Sequence, residues 1–491
     1  MIEAHLPVLQ VAVPLILAPA CALFKDGRAA WFIAVCGSAW TLLCAALLLA
    51  AVQHGPLDYA IGGWQPPWGI AYRIDRINSF VLLLVGMIAT MVAVYAPRSV
   101  NDEIAPERRS LFYSAYLLCL AGLLGIAATG DAFNLFVFLE ISSLSSYAMI
   151  AMGKDRRALT ASFQYLIMGT IGATFILIGV GLAYMMTGTL NMADLAARIP
   201  EVSDTTTIRA AFAFLTVGIS LKIALLPLHL WLPNAYTFAP SVVTALLAAT
   251  ATKVSLYVLL RFFFTVFGVE FSFTEMRLDL VLLPLSLLAI IAASLVAVFQ
   301  DNVKRMLAYS SVAQIGYMTL GISLSNLTGL TAAIVHLFNH ALMKGALFLT
   351  LGCVMYRIGS VHIAQFAGLG RDMPWTMAAF AAGGLSLIGV PLTVGFISKW
   401  LLILAALENG WWPVAVLIVA ASLLAVAYVW RIVEPAYFKA SPAQSVRREA
   451  PLSLLLPTWV LVVANVYFGL DTTLTADLAS LAAAELMQVT L

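Results

Sequence analysis

Long apolar runs, each bounded by short polar stretches, recur along the whole of this sequence. A run of about 20 apolar residues is long enough, as a helix, to cross a hydrocarbon layer of about 30 Å. The pattern predicts an all-α polytopic membrane protein with about 14 transmembrane helices. Their approximate limits are 5–24, 29–52, 77–97, 110–129, 131–152, 159–187, 208–228, 240–268, 279–300, 306–325, 327–356, 374–407, 411–433 and 451–470.

The composition agrees with this class. The chain has 491 residues, of which 62% are hydrophobic and only 10% charged, whereas soluble domains average about 25% charged residues. It has no glycine-rich nucleotide-binding loop and no basic tail for nucleic acid. The five cysteines lie in apolar runs without a CxxC pair, so we expect neither disulfides nor an iron–sulfur cluster.

Basic residues between the predicted spans fall mostly on one side. The loops that follow odd-numbered spans hold sixteen of them: Lys25, Arg28, Arg98, Arg108, Arg109, Lys154, Arg156, Arg157, Lys304, Arg305, Arg357, Arg371, Arg431, Lys439, Arg447 and Arg448. The other side holds five: Arg73, Arg76, Arg198, Arg209 and Arg277. Because cytoplasmic loops are enriched in Lys and Arg, we predict that the first set is cytoplasmic and that both termini lie outside.

Six charged residues fall inside predicted spans and away from the first and last three positions of each: Glu140, Lys222, Lys253, Arg261, Lys344 and Lys399. A charge at the centre of a bilayer helix costs about 2.5–3.5 kcal/mol on insertion scales. The five cations together would cost on the order of 12–17 kcal/mol if all were charged and dry. Some of them must therefore be hydrated, paired or deprotonated.

Glu140 is the only carboxylate away from the ends of a predicted span, and four serines follow it in EISSLSS. Lys222 lies too far from both ends of its span to reach water easily. We therefore predict a Glu140–Lys222 pair with a functional role, since intramembrane acids and bases usually have one. A structural carboxylate or a static salt bridge is the alternative. Lys253 lies about mid-span beside two threonines, whereas Arg261 lies near the outer end, where snorkelling explains it.

His336, His340 and Lys344 are spaced at i, i+4 and i+8 in HLFNHALMK and form one polar stripe along a helix. Imidazole both donates and accepts protons near neutral pH, so the stripe is typical of a proton relay. A metal site and core histidines are the alternatives. Against metal, the span contains no carboxylate and the nearby lysine would repel a cation, so we expect no metal.

Spans 7 and 12 are both interrupted near their middle, by Pro227 and by Pro391, and each carries one lysine. Paired broken helices indicate an internal repeat with the conduction site at the breaks. Because five spans separate them, consecutive units have opposite orientation. The predicted divisions are helices 1–3 (1–109), a first five-helix repeat (110–268), a second, inverted repeat (279–435), and helix 14 with the tail (436–491).

Four stretches resemble the signatures of the antiporter-like subunits that respiratory complex I shares with Mrp-type cation/proton antiporters. They are FNLFVFLEISSLSSYAMIA, LKIALLPLHLWLPNAYTFAPSVVTALLAATATKVSLYVLLR, HLFNHALMKGALFLTLG and VPLTVGFISKWLLI. The resemblance covers roughly residues 75 to 435. The sequence around Tyr236, where complex I members often have histidine, is most similar to the Mrp branch of the family.

The resemblance implies a proton pathway through the buried charges. Its members are Glu140, Lys222, Lys253, His336, His340, Lys344 and Lys399, with His229 and Tyr236 as further members of a cytoplasmic entrance. It also implies a bacterial plasma membrane location and partner membrane subunits, and we expect no cofactor.

Four functions stay open on the sequence. The first is a subunit of an antiporter that exchanges protons for sodium or another monovalent cation. The second is a proton-pumping subunit of a redox-driven complex, of the complex I or membrane hydrogenase type. The third is a subunit that energises bicarbonate or CO2 uptake, and the fourth is a scaffold with inert buried charges. We expect any sodium path to lie in other subunits, because a sodium site needs several oxygen ligands.

Overall fold

The computed structural model describes residues 3–440 and 449–489 as a helical bundle with one β-hairpin. The first ten α-helices are α1 (Leu6–Leu23), α2 (Gly27–Ala51), α3 (Arg76–Glu103), α4 (Arg109–Ala128), α5 (Ala132–Ala151), α6 (Arg157–Thr187), α7 (Met192–Arg198), α8 (Thr206–Ile223), α9 (Trp231–Phe238) and α10 (Ser241–Ala249). The others are α11 (Ala251–Leu260), α12 (Leu278–Val298), α13 (Val303–Ser323), α14 (Leu327–Ile358), α15 (Leu369–Asp372), α16 (Pro374–Ile388), α17 (Val394–Glu408), α18 (Trp412–Phe438), α19 (Leu452–Leu470) and α20 (Leu478–Met487).

Several long helices begin at a side-chain cap. The Asp75 carboxylate accepts a hydrogen bond from the Asn78 backbone amide, and the Asp75 backbone amide donates one to the Asn78 side-chain oxygen. The two bonds form a capping box at the start of α3. Asp131, Asn302 and Asn326 cap α5, α13 and α14 in the same manner. These caps satisfy amide groups that have no partner within the helix, so each helix starts at a defined residue.

Within the described residues, 12 helical segments are long and apolar enough to cross a membrane. The chain is therefore a polytopic helical membrane protein, as predicted. The two other predicted spans, 306–325 and 374–407, correspond to α13 and to the interrupted pair α16 and α17, which are not among the twelve. The count of 14 crossings thus remains a prediction.

The hairpin marks one face of the bundle. Strand β1 (Leu57–Ala60) pairs antiparallel with β2 (Ala71–Ile74). His5 contacts the Tyr59 hydroxyl at 2.9 Å, and Arg76 forms an ion pair with Glu485 of α20. Both described ends of the chain therefore lie on this side, which we call the hairpin face. The opposite side, with the α3–α4 and α5–α6 loops, is called the basic face. Arg447 and Arg448 lie outside the described residues.

Helix α14 forms the centre of the bundle. Every residue from Gly329 to Val354 is buried, and the helix packs against α3, α10, α13, α16, α17 and α19. Polar side chains on α14 therefore lie inside the protein rather than against lipid.

Three helical paths are interrupted. The chain leaves helical geometry between α8 and α9, and between α16 and α17, at the segments that contain Pro227 and Pro391. A third interruption at Thr250 separates α10 from α11, and a π-helical turn, Arg261–Val266, follows α11. The first two were predicted from proline, whereas the third was not.

Candidate functional site

Glu140 and Lys222 lie close together inside the bundle. Helix α5 carries Glu140, and α8 ends one residue after Lys222. The Lys222 ammonium is 3.9 Å from a Glu140 carboxylate oxygen and donates a hydrogen bond to the Ser143 hydroxyl at 3.0 Å. The Lys222 side chain is 5% exposed and that of Glu140 is 25% exposed. The acid is therefore the member of the pair nearer the lateral surface of the bundle.

Aromatic side chains pack around the helix break that follows Lys222. Ala224 adopts a left-handed conformation with φ 59°, which ends α8. The Trp231 indole donates to the Leu221 carbonyl at 3.1 Å and stacks on Tyr165 with ring centroids 4.0 Å apart. Tyr165 in turn packs edge-on against Tyr147, at 4.6 Å. A carbonyl freed by the interruption is thus satisfied within the protein, as a broken membrane helix requires.

Lys253 lies directly after the interruption at Thr250. Its side chain is fully buried, and its ammonium donates to the Ala248 carbonyl and, at 3.4 Å, contacts the Thr252 hydroxyl. The lysine therefore binds the last turn of α10, whose final carbonyls have no helical partner. No proline marks this interruption, and Pro240 lies at the start of α10 rather than within it.

The three polar residues of α14 are all buried. The two ring nitrogens of His336 contact Ser398 Oγ at 2.7 Å and Gln314 Oε1 at 2.8 Å. The His340 ring lies nearly parallel to it, with centroids 5.9 Å apart, and neither of its nitrogens has a hydrogen-bond partner among the described residues. Lys344 donates to the Leu307 carbonyl at 2.8 Å and to the Ser310 hydroxyl.

Lys399 occupies the second break. Gly389 ends α16 with φ 94°, and the segment that contains Pro391 leads into α17. The Lys399 ammonium donates to the carbonyls of Leu387 and Ile388 at 3.1 and 2.8 Å, and to the Ser422 hydroxyl at 3.2 Å. It also lies 5.0 Å from the centre of the Tyr317 ring. The ammonium therefore satisfies the carbonyl end of the interrupted helix.

The two predicted entrance residues have different environments. His229 lies in the first break, is partly exposed, and has no described partner for Nδ1. Tyr236 is only 1% exposed, and its hydroxyl donates to the Leu247 carbonyl of α10 at 3.2 Å. Tyr236 thus lies within the packed interior and joins α9 to α10, whereas His229 alone reaches a surface.

Two expectations about cations were wrong. Arg261 does not snorkel, because it is 7% exposed and forms a 2.8 Å ion pair with Asp75. Lys304 was assigned to the loop before span 10, whereas it lies in the first turn of α13, is 2% exposed and donates to the Ala239 carbonyl at 3.1 Å. In both cases the partner is distant in sequence, so helix position alone suggested the wrong environment.

The predicted proton-pathway residues, which we call the charged row, are Glu140, Lys222, Lys253, His336, His340, Lys344 and Lys399. Sequence reasoning missed the hydrogen-bond partners of several of them. Gln314, Ser310 and Ser398 bind histidine and lysine side chains of this row, yet single serines and glutamines in apolar helices give no specific signal. Elsewhere, no group of three His, Cys, Asp or Glu side chains in residues 3–440 and 449–489 is arranged to hold a metal ion.

Buried acid, lysine and histidine side chains on interrupted and central helices define a polytopic membrane protein of the ion-transport class. The family model described as "NADH:quinone oxidoreductase/Mrp antiporter, TM" matches residues 129–425, and the chain belongs to this family.

The similarity extends over nearly the whole chain. It is 42% identical over 488 residues to the N subunit of NADH-quinone oxidoreductase from Desulforudis audaxviator, covering 95% of this chain and 96% of the relative. It is 31% identical over 424 residues to the D subunit of the Na(+)/H(+) antiporter from Alkalihalophilus pseudofirmus, covering 86% and 85%. A chain in the structure of the Mrp complex from a Dietzia species superposes with TM-score 0.91 at 27% identity, covering 99% and 98%.

Proposed function

We propose that this chain is the proton-translocating subunit of a multi-subunit Na+/H+ antiporter in a bacterial plasma membrane. One observation carries the proposal. The predicted lysines and histidines are buried inside the bundle. Two of the lysines, Lys222 and Lys399, lie at the proline-containing helix breaks. The Alkalihalophilus pseudofirmus relative, whose name states Na(+)/H(+) antiport, supports the choice of Na+.

The proposed transfer starts at the Glu140–Lys222 pair. A proton that binds Glu140 removes the negative charge beside Lys222, so the buried ammonium loses its counter-ion and releases its own proton more readily. Lys253 lies on α11, and both α10 and α11 pack against α14, which carries His340 and Lys344. A charge that arrives at one of these groups therefore disfavours protonation of the next.

Ordered water completes the proposed row. The two unpaired nitrogens of His340 are buried, and buried polar atoms of this kind are normally hydrogen-bonded to the protein or to water. His340 lies beside His336, which contacts Ser398, the residue before Lys399. Water at His340 would link Lys253 and Lys344 to the second break.

The proposed topology has 14 crossings, with α13 and the α16–α17 pair added to the twelve apolar segments. Two inverted five-helix units, 110–268 and 279–435, each contain one broken helix. Residues 1–109 and 436–491 flank them, and both termini lie outside. The excess of basic residues on the basic face supports this orientation.

Other membrane subunits are the proposed partners. Val137 and Leu144, one turn to either side of Glu140 on α5, are 36% and 54% exposed. An acid on an otherwise apolar lateral face is costly against lipid. A partner subunit that covers this face would shield Glu140 and continue the row. The solved Mrp complex, whose chain this fold matches, supports such an assembly.

A subunit of a redox-driven complex is the second candidate. The observation in its favour is the 42% identity to a quinone oxidoreductase subunit, against 31% to the antiporter subunit. The same row would then move protons in response to electron transfer in partner subunits.

A single variant tests the proposal in the purified complex reconstituted in proteoliposomes. We expect Glu140→Gln to lower Na+-driven proton flux by about a hundredfold or more, because a positioned proton carrier is lost. Glu107→Gln, which changes an exposed loop carboxylate, is the matched control and should keep wild-type flux. Normal flux in Glu140→Gln would contradict the proposal. Flux driven by NADH and quinone, with none driven by Na+, would favour the second candidate.

A further inference from the structure

A second buried charged cluster lies on the hairpin-face side of Lys253. The Arg261 guanidinium is 2.8 Å from an Asp75 carboxylate oxygen, and its Nε donates to the Tyr257 hydroxyl at 3.0 Å. That hydroxyl donates to the Ala127 carbonyl at 3.1 Å. Arg261 is 7% exposed and Tyr257 is 1% exposed. The guanidinium is therefore bound by Asp75 at the start of α3 and by Tyr257 of α11, and it cannot move freely to water.

The cluster forms the floor of a cavity. A volume of about 740 Å3 opens at the hairpin face, with Asp75 and Arg261 in its lining. Two further ion pairs lie in the same lining, Arg73–Asp58 at 3.8 Å and Arg76–Glu485. The cavity thus contains three arginines and three carboxylates in pairs, so it has no strong preference for an anion or a cation. The Arg261–Asp75 pair is the most buried of the three.

Helix α11 connects Arg261, in the lining of the cavity, to Lys253, which belongs to the charged row. Lys253, Tyr257 and Arg261 are spaced at i, i+4 and i+8, which places them on one face with steps of about 6 Å along the axis. The regular α-helix ends at Arg261, where the π-helical turn begins. Such turns are frequent at functional positions because they reorient a side chain.

We propose that this cavity is the outward mouth of the proton pathway and that the Arg261–Asp75 pair is its gate; the inference rests on the proposed function. While the pair is closed, the fixed guanidinium and carboxylate separate the water of the cavity from Lys253. A proton from the Lys253 ammonium passes through ordered water and the Tyr257 hydroxyl onto the Asp75 carboxylate. Lys253 is left as a neutral amine and Asp75 as a neutral acid, which no longer holds Arg261. The proton then leaves Asp75 for water in the cavity.

Three variants of the intact complex in proteoliposomes test the gate. Arg261→Gln with Asp75→Asn removes both charges together and so leaves no uncompensated buried ion. Tyr257→Phe removes only the hydroxyl and keeps the ring. Arg198→Gln with Asp194→Asn removes an ion pair of α7 that does not line the cavity and is the matched control. Passive proton leak without a Na+ gradient and Na+-driven proton flux are measured for each.

We expect the Arg261/Asp75 variant to raise the passive leak several-fold, and Tyr257→Phe to lower driven flux by about tenfold or more. The control should keep both rates. A purely structural role of the pair would not raise the leak of an assembled complex. If the double variant does not assemble, Tyr257→Phe still decides, because wild-type flux in that variant overturns the inference.

Glu140→Gln in the same experiment separates the two proposals. If Glu140→Gln abolishes flux while the Arg261/Asp75 and Tyr257 variants behave as wild type, only the gate is wrong. If Glu140→Gln itself has normal flux, the proposed proton row is wrong and the gate inference falls with it.

Discussion

The two ring nitrogens of His336 face chemically different partners. Nε2 contacts the side-chain amide oxygen of Gln314, Oε1. Because this oxygen only accepts hydrogen bonds, Nε2 carries the hydrogen. Nδ1 is then free to accept from the Ser398 hydroxyl in the neutral ring. Gln314 cannot take up a proton. It therefore fixes the neutral tautomer. Under the proposed function, Nδ1, on the side of Lys399, is the nitrogen that would exchange protons.

Replacing Gln314 tests this arrangement. Gln314→Leu would leave a buried N–H without an acceptor, and we expect the free energy of unfolding to fall by about 1–3 kcal/mol. Gln53→Leu is the matched control, since Gln53 is exposed and binds only the Leu49 carbonyl of its own helix. Denaturant unfolding of the purified complex measures both. Equal stability of the two variants would mean that Gln314 does not hold His336.

At this scale the sequence predicted charges better than it predicted their partners. Glu140 and Lys222 stood out because an unpaired charge in a bilayer is costly, and only one carboxylate was available. Arg261 was misjudged because its partner, Asp75, lies 186 residues earlier in the chain, at the cap of another helix. Gln314 and Ser398 are uncharged, so the sequence did not single them out as partners of His336. Long-range pairing follows from the fold, which a single helix does not encode.

At the scale of elements, the two broken helices use their lysines differently. Lys222 ends the first segment of its helix and points to an acid and a serine on α5. Lys399 lies in the second turn of α17, the second segment of its broken helix, and points back to the carbonyls of α16. Each ammonium lies near the carbonyl end of a helix, where the helix dipole favours positive charge. The break thus stabilises a cation that the bilayer would exclude.

Arginine and methionine at position 399 separate this structural role from proton transfer. Lys399→Arg keeps a cation for the Leu387 and Ile388 carbonyls, so we expect stability near wild type. Proton flux should nevertheless fall by about a hundredfold, because a guanidinium does not release its proton in proteins. Lys399→Met should lose both stability and flux.

Flux in reconstituted complexes and denaturant unfolding provide the two readouts for position 399. Wild-type flux in Lys399→Arg would show that Lys399 only caps the broken helix. Gly389→Ala is a further check on the break itself. An added Cβ would lie 3.0 Å from Lys399 Cδ, at a residue with φ of 94°, so this variant should displace the lysine.

Helix interruptions could be predicted only where the apolar span contains a proline. Pro227 and Pro391 each removed an amide donor in mid-span, and both breaks were found. The interruption at Thr250 has no such residue, because it comes from Thr250 itself, with φ −124° and ψ −56°. The π-helical turn at Arg261 is likewise a main-chain feature within an apolar, helix-forming sequence. Apolar periodicity is the same on both sides of such a distortion.

At the scale of the whole molecule, the assignment of faces depends on two proposed crossings outside the twelve segments. These are α13, which is less apolar, and the α16–α17 pair, whose helices have only 15 residues each. Helix α13 is buried almost throughout, and it carries Ser310, Ser311, Gln314, Tyr317 and Thr319 toward the interior. A helix surrounded by protein needs less hydrophobicity than one against lipid. The proposed topology therefore includes α13 as a crossing, because the proposed alternation of basic and hairpin faces along the chain requires it.

Single cysteines on either side of α13 test the crossing and the orientation together. In a background with the five native cysteines replaced by alanine, Asp301→Cys and Ser325→Cys are compared with Lys25→Cys and Asp204→Cys, all at exposed positions. We expect a membrane-impermeant maleimide added to intact cells to label positions 325 and 204 at once. Positions 301 and 25 should react only after permeabilisation. If positions 301 and 325 react from the same side, α13 does not cross the membrane. The two five-helix units would then not have opposite orientations, and the hairpin face could no longer be assigned to the outside.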